Sequence, residues 1–373
     1  MRPTFIEVNL DYLRYNLELI RKHTQNRPVM AVVKSNAYGH GMLRVAQLYE
    51  KLGVNCLGVA LLEEGIILRE SGISLPIVVF GGVLFKQIPE YLKWNLEFFI
   101  SSLNVLRKTD KICEFSGQQA IVHLKLDSGM GRVGTIAEES AGFIEEAVRA
   151  RHLTVKGVCS HLACADDPQD PMTLEQVDRF LTAVSIFERL DAPVPLRHLA
   201  NSGGVLYFPQ SHLDIIRPGI LLYGVYPDSS SPHVLDVLPA LQLKSRVSFR
   251  KSVPKGFSVS YGSTWTSNGS TEISTIPMGY GDGFRRHLSN HGEVIIRGKR
   301  RAIVGRVCMD QFMVNSNNET LEVGDEVVLI GEQDGQSITV EEMSEWAETI
   351  PYEILTNLND RIPRIYSMDS HKY

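Results

Sequence analysis

Residues 29–61 read VMAVVKSNAYGHGMLRVAQLYEKLGVNCLGVAL, and this stretch contains the repeating unit of the fold. The apolar run VMAVV is followed by a polar loop with two glycines, and then by a segment whose apolar residues recur every three or four positions. A second apolar run, LGVAL, ends the unit. Continuous apolar runs separated by amphipathic helices are typical of parallel strands that are buried on both faces. The stretch therefore predicts a strand, a loop, a helix and a second parallel strand.

The same rhythm continues to about residue 225 and predicts eight strands, at residues 29–33, 57–61, 77–80, 97–100, 120–126, 155–160, 196–199 and 213–216. Helical patterns lie between them, as in TLEQVDRFLTAVSIFERL. Eight strand–helix units over this length fit a TIM barrel, in which the active site lies at the carboxyl ends of the strands. A doubly wound open sheet also fits the pattern, so both α/β folds stay open at this point.

The second part of the chain has a different texture. Residues 228–239, DSSSPHVLDVLP, read as a linker, and short β-rich segments such as GEVIIRG and DEVVLIG follow. We therefore expect residues 1–230 to form the TIM (β/α)8 barrel and residues 235–373 to form a mostly β C-terminal domain. One short helix is expected after Thr339, because Glu342 stands at the capping-box position.

Composition and charge exclude several classes of protein. The 373 residues are 43% hydrophobic, which is enough for a large core, and no run is long and apolar enough to span a membrane. The net charge of −5 gives no positive field that would attract nucleic acid or anionic lipid. Any anionic ligand must therefore be bound by a local site.

The cysteines and the N-terminus favour a cytoplasmic protein. The five cysteines are scattered, without CxxC pairs or the spacing of zinc ligands, so we expect reduced thiols and no metal site. The first residues, MRPTFIEVNLDYLRYNL, are interrupted by charged side chains, which argues against a signal peptide and for a protein that begins near Met1.

Polar residues that follow the predicted strands are the candidates for chemistry. Lys34 comes directly after VMAVV, where burial would lower the pKa of its amine and prepare it for Schiff-base formation. A lysine at a barrel rim can also extend its amine into solvent, and position alone does not decide between the two.

Four further strand ends carry residues suited to anions. Arg132 follows the fifth predicted strand and His161 the sixth, and either residue is also common in a purely structural turn. Ser202 and Gly219 follow the seventh and eighth strands, where TIM barrels frequently bind phosphate. A lysine able to form an imine and a phosphate site on one rim indicate pyridoxal phosphate.

The loop KSNAYGHG, together with AVV before it, resembles the pyridoxal phosphate attachment segment of the alanine racemase family. The resemblance extends through KLDSGMGRVG, SHLACAD, ANSGG, RPGILLYGVYP, VSYGSTW, MGYGDGFRR and GRVCMDQFMV, and so over nearly the whole chain. It implies a homodimer of a barrel and a β-domain, in which each active site is completed by the partner's second domain. The implied ligands are a small amino acid and pyridoxal 5'-phosphate.

The resemblance also implies roles for individual residues. Lys34 would form the internal aldimine and act as one of two bases, and Tyr261 would act as the other from the second subunit. Arg217 would face the pyridine nitrogen, with His161 near it. The residues that would hold the phosphate are Tyr38, Ser202, Gly219, Ile220 and Tyr352.

Substrate binding is implied by a second set of matches. Arg132 and the backbone of Met309 would bind the substrate carboxylate. Lys125 matches a lysine that is carried as a carbamate and pairs with that arginine. Tyr280 and Asp310 match residues that line the entrance or surround the site.

Racemisation needs an acid/base group on each face of the substrate's α-carbon, which explains a pair such as Lys34 and Tyr261. A free tyrosine side chain has a pKa of about 10, so the action of Tyr261 as a base would need a cationic or hydrogen-bonded neighbourhood, for which His161 and Arg217 are candidates. Arg217 stays protonated and cannot readily protonate the pyridine nitrogen, which would suppress transamination.

The implied activity is the interconversion of L-alanine and D-alanine, which would supply D-alanine for peptidoglycan. A racemase of broader or serine specificity is an alternative. A decarboxylase of basic amino acids is another, although such an enzyme needs a carboxylate where Arg217 stands. A non-catalytic carrier of pyridoxal phosphate resembles the barrel alone and would not need Tyr261.

Overall fold

The computed structural model describes residues 2–368 apart from residues 229, 231 and 318. The predicted linker lies partly outside the described residues, and the last five residues of the predicted second domain lie wholly outside them.

The first half of the chain alternates strands and helices as predicted. Its strands are β1 (Phe5–Asn9), β2 (Met30–Val32), β3 (Cys56–Val59), β4 (Ile77–Val79), β5 (Glu97–Ile100), β6 (Ala120–Asp127), β7 (Thr135–Ile136), β8 (Leu153–Cys159) and β9 (Leu196–His198). Its helices are α1 (Leu10–His23), α2 (Lys34–Tyr38), α3 (Met42–Lys51), α4 (Leu62–Glu70), α5 (Ile88–Lys93), α6 (Leu103–Ser116), α7 (Ala141–Arg149), α8 (Met172–Arg189) and α9 (Ser202–Tyr207).

The parallel strands close into a barrel. Their order is β2, β3, β4, β5, β6, β8 and β9, and the short β7 pairs with β6. The circle is closed by a parallel bridge between Val29 and Ile216, with Met30 N donating to Ile216 O at 2.9 Å. This closure confirms the TIM barrel and excludes the doubly wound open sheet.

The eighth predicted strand, residues 213–216, is much shorter than expected. Only Ile216 forms a bridge. Leu213 has a left-handed backbone with φ of 49°, and Pro218 has no N–H to donate. These two residues interrupt the ladder on either side, and the predicted strand is wrong apart from its last residue.

Two apolar layers stabilise the barrel. Inside it lies a separate buried cluster, made of Met30, Cys56, Val78, Phe99, Cys159 and Ile215. Outside it the helices pack their apolar faces against the strands. Helix α8 is an example, because Val177, Phe180, Val184 and Phe187 recur at three- and four-residue spacing and are all buried.

The second half is mostly β, as predicted. Its strands are β10 (Leu241–Arg246), β11 (Phe249–Val253), β12 (Ser258–Val259), β13 (Trp265–Thr266), β14 (Thr271–Ile276), β15 (Glu293–Ile296), β16 (Lys299–Ala302), β17 (Phe312–Asn315), β18 (Glu326–Gln333), β19 (Gln336–Ile338) and β20 (Arg364–Ser367). Its helices are α10 (Val340–Trp346) and α11 (Pro351–Asn357). The predicted helix α10 is present, and Thr339 caps it, since Glu342 N donates to Thr339 Oγ1 at 3.1 Å. The Glu342 side chain does not complete the capping box, because its carboxylate accepts from Arg300.

The N-terminal strand belongs to this second unit. The sheet runs in the order β16, β15, β18, β10, β1 and β20, with Ile6 opposite Leu243 in an antiparallel pair. Residues 5–9 therefore pair with the β-domain, whereas we expected residues 1–230 to lie in the barrel. The chain enters the barrel only at α1. The backbone hydrogen bonds of β1 therefore attach the start of the barrel domain to the β-domain.

Candidate active site

Lys34 lies where the sequence placed it, at the carboxyl end of the first barrel strand. Burial is the largest cause that lowers the pKa of its amine, and the charge of Arg132 acts in the same direction. Glu64 opposes the shift. The direction of this shift agrees with the desolvated amine that the sequence predicts.

The short element α2, which begins at Lys34, is a left-handed turn and not a right-handed α-helix. Ser35, Asn36, Ala37 and Tyr38 all have φ near +52°, and each such residue costs about 1 to 2 kcal/mol. The turn is held by side chains from outside it, since Ser35 N donates to Glu64 Oε1 at 2.6 Å and Arg364 Nε donates to Gly39 O at 3.1 Å.

Glu64 and Arg364 were missed by the sequence reasoning. Glu64 also accepts from Ala60 N at 2.8 Å and so ties the loops after β2 and β3 together. Arg364 reaches the turn from β20, so the C-terminal strand of the β-domain helps to shape the loop that carries Lys34. Only the capping position of Glu64 in α4 could have been found from sequence.

A cradle of neutral donors lies at the ends of the last two barrel strands. Ser202 Oγ accepts from Gly219 N at 3.0 Å and from Leu221 N at 3.3 Å. Tyr38 packs directly against Gly219, where a Cβ would collide with the tyrosine hydroxyl. Ile220 is fully buried at the start of the same turn.

Tyr38 and Tyr352 are neighbours at this cradle, with ring centroids 6.1 Å apart. Burial is the largest cause that raises the pKa of both phenols, so both remain protonated and can donate. Hydroxyl and backbone donors of this kind suit a phosphate. An amine for the aldehyde and these donors for the phosphate fit pyridoxal phosphate.

Arg217 is buried beside the cradle and is held by several acceptors. Its Nη2 donates to Ser160 O at 2.8 Å, and its Nη1 donates to His198 O at 2.5 Å. His161 Nδ1 lies 3.4 Å from Arg217 Nη2, as the sequence predicted. Burial, followed by the charge of Arg217, lowers the pKa of His161 well below its ordinary value, so this histidine is neutral.

Lys125 and Arg132 occupy the fifth strand end. Lys125 is buried, its Nζ donates to Leu126 O at 3.2 Å, and burial lowers its pKa to about 8. The charge of Arg217, and to a smaller extent that of Arg132, acts in the same direction as burial. Asp127 organises the loop between them by accepting from three backbone N–H groups, those of Gly129, Met130 and Gly131.

The remaining predicted residues form an exposed patch on the β-domain, which we call the β-domain patch: Tyr261, Tyr280, Met309 and Asp310. Tyr261 is 71% exposed and Met309 is 54% exposed. The loop of Tyr261 is anchored within its own domain, because Ser260 Oγ donates to Arg306 O at 2.6 Å. Tyr280 N donates to Cys308 O at 3.0 Å, and Arg361 Nη2 donates to Asp310 Oδ1 at 2.7 Å.

The structure thus brings the predicted residues together in two groups. Lys34, Tyr38, His161, Ser202, Arg217 and their neighbours share one end of the barrel, with Tyr352 added from α11. The β-domain patch is a separate, largely exposed group. A partly buried lysine, a cradle of hydroxyl and backbone groups, and a barrel joined to a β-domain are together the features expected of a pyridoxal phosphate enzyme.

Comparison with known proteins narrows this class. Residues 8–227 match the N-terminal domain of alanine racemase and residues 240–366 match its C-terminal domain, and the chain belongs to the alanine racemase family. Members of this family are racemases that depend on pyridoxal phosphate. The match over both domains confirms the resemblance.

Individual relatives agree with this assignment. An alanine racemase from Carboxydothermus hydrogenoformans is 42% identical over 98% of this chain and 100% of the relative. The crystal structure of alanine racemase from Streptomyces lavendulae has a TM-score of 0.94 at 34% identity, and covers the whole of both chains. A histidine racemase from Leuconostoc mesenteroides is also similar, with a TM-score of 0.89 at 28% identity and 98% coverage of each chain.

Proposed function

We propose that this protein interconverts L-alanine and D-alanine with pyridoxal phosphate. The observation that carries the proposal is the position of Lys34, a partly buried amine of lowered pKa at the same barrel end as Arg217 and the cradle of Ser202 and Gly219. Full-length similarity to alanine racemases supports the same activity.

The residues around the cradle would hold the cofactor. Tyr38, Ser202, Tyr352 and the backbone at Gly219 and Ile220 would bind its phosphate. Arg217 would face its pyridine nitrogen, with His161 beside the guanidinium. When bound, the cofactor withdraws electrons from the substrate and so acidifies its α-proton.

Two groups would move protons on opposite faces of the substrate. Lys34 Nζ, freed when the substrate amine replaces it, would take or return the α-proton on one face. A phenol on the opposite face would do the same, and Tyr261 is the candidate. Racemisation requires both, because one side chain does not reach both faces of one carbon.

The exposure of the β-domain patch supports a homodimer in which the partner subunit's Tyr261 completes the site. Mixing two inactive variants tests this arrangement. A heterodimer of Lys34→Ala and Tyr261→Phe chains would contain one intact site if Tyr261 acts across the interface, and none if it acts within its own chain. Activity regained on mixing supports the shared site, and continued inactivity with proven subunit exchange argues against it.

Arg132 would bind the substrate carboxylate together with the backbone of Met309. Lys125 would then sit near Arg132 with like charge. Its pKa of about 8 leaves a fraction of the amine neutral at pH 7, and a neutral amine can add CO2 to form a carbamate with release of a proton. The carbamate would carry a negative charge toward Arg132.

Substrate choice is tested by isotope exchange. We expect purified holoenzyme in deuterated water to exchange the α-proton of L-alanine and to produce D-alanine, with slower turnover of L-serine, since one added group changes discrimination by only about 1 to 3 kcal/mol. L-histidine belongs in the panel because of the similar histidine racemase. Absence of exchange with all of them would overturn the proposal.

The alternatives make different predictions in the same assay. A decarboxylase would release carbon dioxide from L-lysine, and a carrier would bind the cofactor without exchanging any α-proton. Family matches over the β-domain as well as the barrel favour the racemase.

A cytoplasmic protein that provides D-alanine for peptidoglycan fits these properties. All five cysteines are free in the structure, as a reducing compartment would keep them. Among the helices of the described residues, none is long and apolar enough to cross a bilayer.

A further inference from the structure

A chain of polar side chains runs through the barrel behind Arg217. His198 Nδ1 lies 2.9 Å from Arg217 Nη1, and His198 Nε2 lies 2.9 Å from His123 Nδ1. His123 Nε2 lies 2.9 Å from Glu97 Oε2. All four residues are buried. At the outer end Lys156 Nζ, on a partly exposed side chain, lies 2.5 Å from Glu97 Oε1.

The chemistry of Arg217 fixes every proton in this chain. A guanidinium only donates, so His198 Nδ1 must accept and the proton of His198 must be on Nε2. That proton is donated to His123 Nδ1, which places the proton of His123 on its own Nε2, where it is donated to Glu97. Both histidines are therefore neutral Nε2–H tautomers, and Glu97 is an ionised acceptor.

The environment favours the same protonation states. Burial is the largest cause that lowers the pKa of both His123 and His198. For Glu97, burial acts to raise the pKa, but hydrogen bonds from His123 and Lys156 outweigh it and the pKa is lowered. The tautomers required by hydrogen bonding and the charges favoured by the surroundings agree.

Gly157 provides the space for the central bond. It lies on β8, between the strands that carry His123 and His198. A Cβ at this position would lie 2.8 Å from His123 Cε1 and 2.9 Å from His198 Nε2. Its φ is outside the left-handed region, so the glycine is needed for space and not for backbone conformation.

Arg217 is held without a direct ion pair in the part of the chain that the structure describes. Among the residues that the structure describes, no carboxylate lies within ion-pair distance of its guanidinium, and the acceptors in direct contact are backbone oxygens and histidine nitrogens. A buried guanidinium without compensation is costly. The chain connects it, through two polarised imidazoles, to the negative charge of Glu97.

We propose that Glu97, His123 and His198 are positioning residues that act through one another on Arg217, in a slot that Gly157 leaves open. They hold the guanidinium in one orientation, and they link it by hydrogen bonds to one oxygen of the Glu97 carboxylate, whose other oxygen pairs with Lys156 at the amino-terminal end of the barrel. The proposal rests on the proposed function, in which Arg217 faces the ring nitrogen of the cofactor.

Two variants test the chain in different ways. Gly157→Ala keeps every titratable group but separates His123 from His198, and Glu97→Gln keeps an acceptor for His123 but removes the charge. Loss of one hydrogen bond to a charged group changes an equilibrium or a rate by about 10- to 100-fold. We therefore expect kcat of the holoenzyme to fall at least tenfold in each variant. We expect KM to change less than twofold, because none of these residues contacts the site of the substrate.

The controls are matched in chemistry. Gly142→Ala adds a Cβ where no atom lies within 4 Å. Glu50→Gln removes a carboxylate that accepts from Ser74 N at 2.7 Å and has no link to Arg217. Both controls should retain kcat within twofold.

Histidine tautomers provide a readout that does not depend on activity. In ¹⁵N spectra of the wild-type holoenzyme at pH 7, His123 and His198 should both be neutral with the proton on Nε2. Glu97→Gln should keep these tautomers, whereas Gly157→Ala should release them.

Either histidine charged or protonated on Nδ1 in the wild type would overturn the proposal, as would a normal kcat in folded Glu97→Gln. If Gly157→Ala does not fold, Glu97→Gln decides alone. If the wild type lacks racemase activity, the proposed function fails. The tautomers of His123 and His198 still decide whether the hydrogen-bonded chain of side chains exists.

Discussion

Gly219→Ala should weaken cofactor binding, because the new Cβ would compete for space with Tyr38. The Cβ would lie 3.1 Å from Tyr38 Cζ and closer still to the hydroxyl. Tyr38 is 6% exposed, and its ring packs against Tyr223 at 5.0 Å between centroids and against Tyr352 at 6.1 Å. The ring has little room to move away, so its hydroxyl must be displaced within the proposed phosphate cradle.

The magnitude follows from the cost of overpacking, which is about 1 to 3 kcal/mol. Each 1.4 kcal/mol is a tenfold change, so we expect the dissociation constant of pyridoxal phosphate to rise about 5- to 150-fold. The assay is titration of the apoprotein with pyridoxal phosphate, followed by the visible absorbance of the bound cofactor. Gly142→Ala is the control, since its Cβ would meet no atom within 4 Å.

A double variant identifies the source of the strain. Tyr38→Phe removes the hydroxyl that collides with the new Cβ, but also removes a proposed phosphate donor, so it should weaken binding by itself. Gly219→Ala combined with Tyr38→Phe should then lose clearly less than the sum of the two single losses, because only the 3.1 Å approach to the ring carbon Cζ remains. Strictly additive losses would refute the reasoning, because they would show that the methyl group acts on something other than the hydroxyl.

Three other perturbations have defined outcomes. Arg217→Glu should raise half-transamination relative to racemisation, because a carboxylate keeps the ring nitrogen protonated; pyruvate formation measures it, and an unchanged ratio contradicts that role. Lys125→Ala should lose activity that added chloride partly restores, and wild-type activity without rescue would exclude the carbamate. Burial lowers the pKa of His40 to about 4 in the folded protein. As the pH falls, the unfolded chain therefore binds a proton at this histidine before the folded protein does. The free energy of unfolding should fall between pH 6.5 and 4, by up to about 3 kcal/mol. His40→Phe should flatten that part of the denaturant-midpoint curve, and an unchanged slope would assign the acid sensitivity to other groups.

Much of the barrel and its site could be predicted from sequence, because the rule that links them is local. A polar residue directly after a buried parallel strand must lie at the barrel's carboxyl end. This rule located Lys34, His161 and Ser202 without knowledge of which strands are neighbours. It also located Arg217, although the strand before it is reduced to Ile216.

The pairing of β1 was missed because its partners are remote in the chain. The segment FIEVN alternates half-buried and buried residues, a pattern that fits a strand with one buried face in any sheet. Its pairing with β10 joins Ile6 to Leu243. A periodicity shows that a strand has a buried face, but it does not show which sheet covers that face.

The chain behind Arg217 shows the same difficulty at the level of single side chains. Glu97, His123 and His198 each interrupt an apolar strand, and such an interruption signals only that a buried polar group needs a partner. Which partner it finds depends on the closure of the barrel, because β8 lies between the two strands that carry the histidines. Gly157 gives no signal until that neighbourhood is known. A glycine in a strand can be required for a backbone conformation that other residues rarely adopt, or it can leave space for a bond between side chains of the neighbouring strands. Gly157 has only the second role.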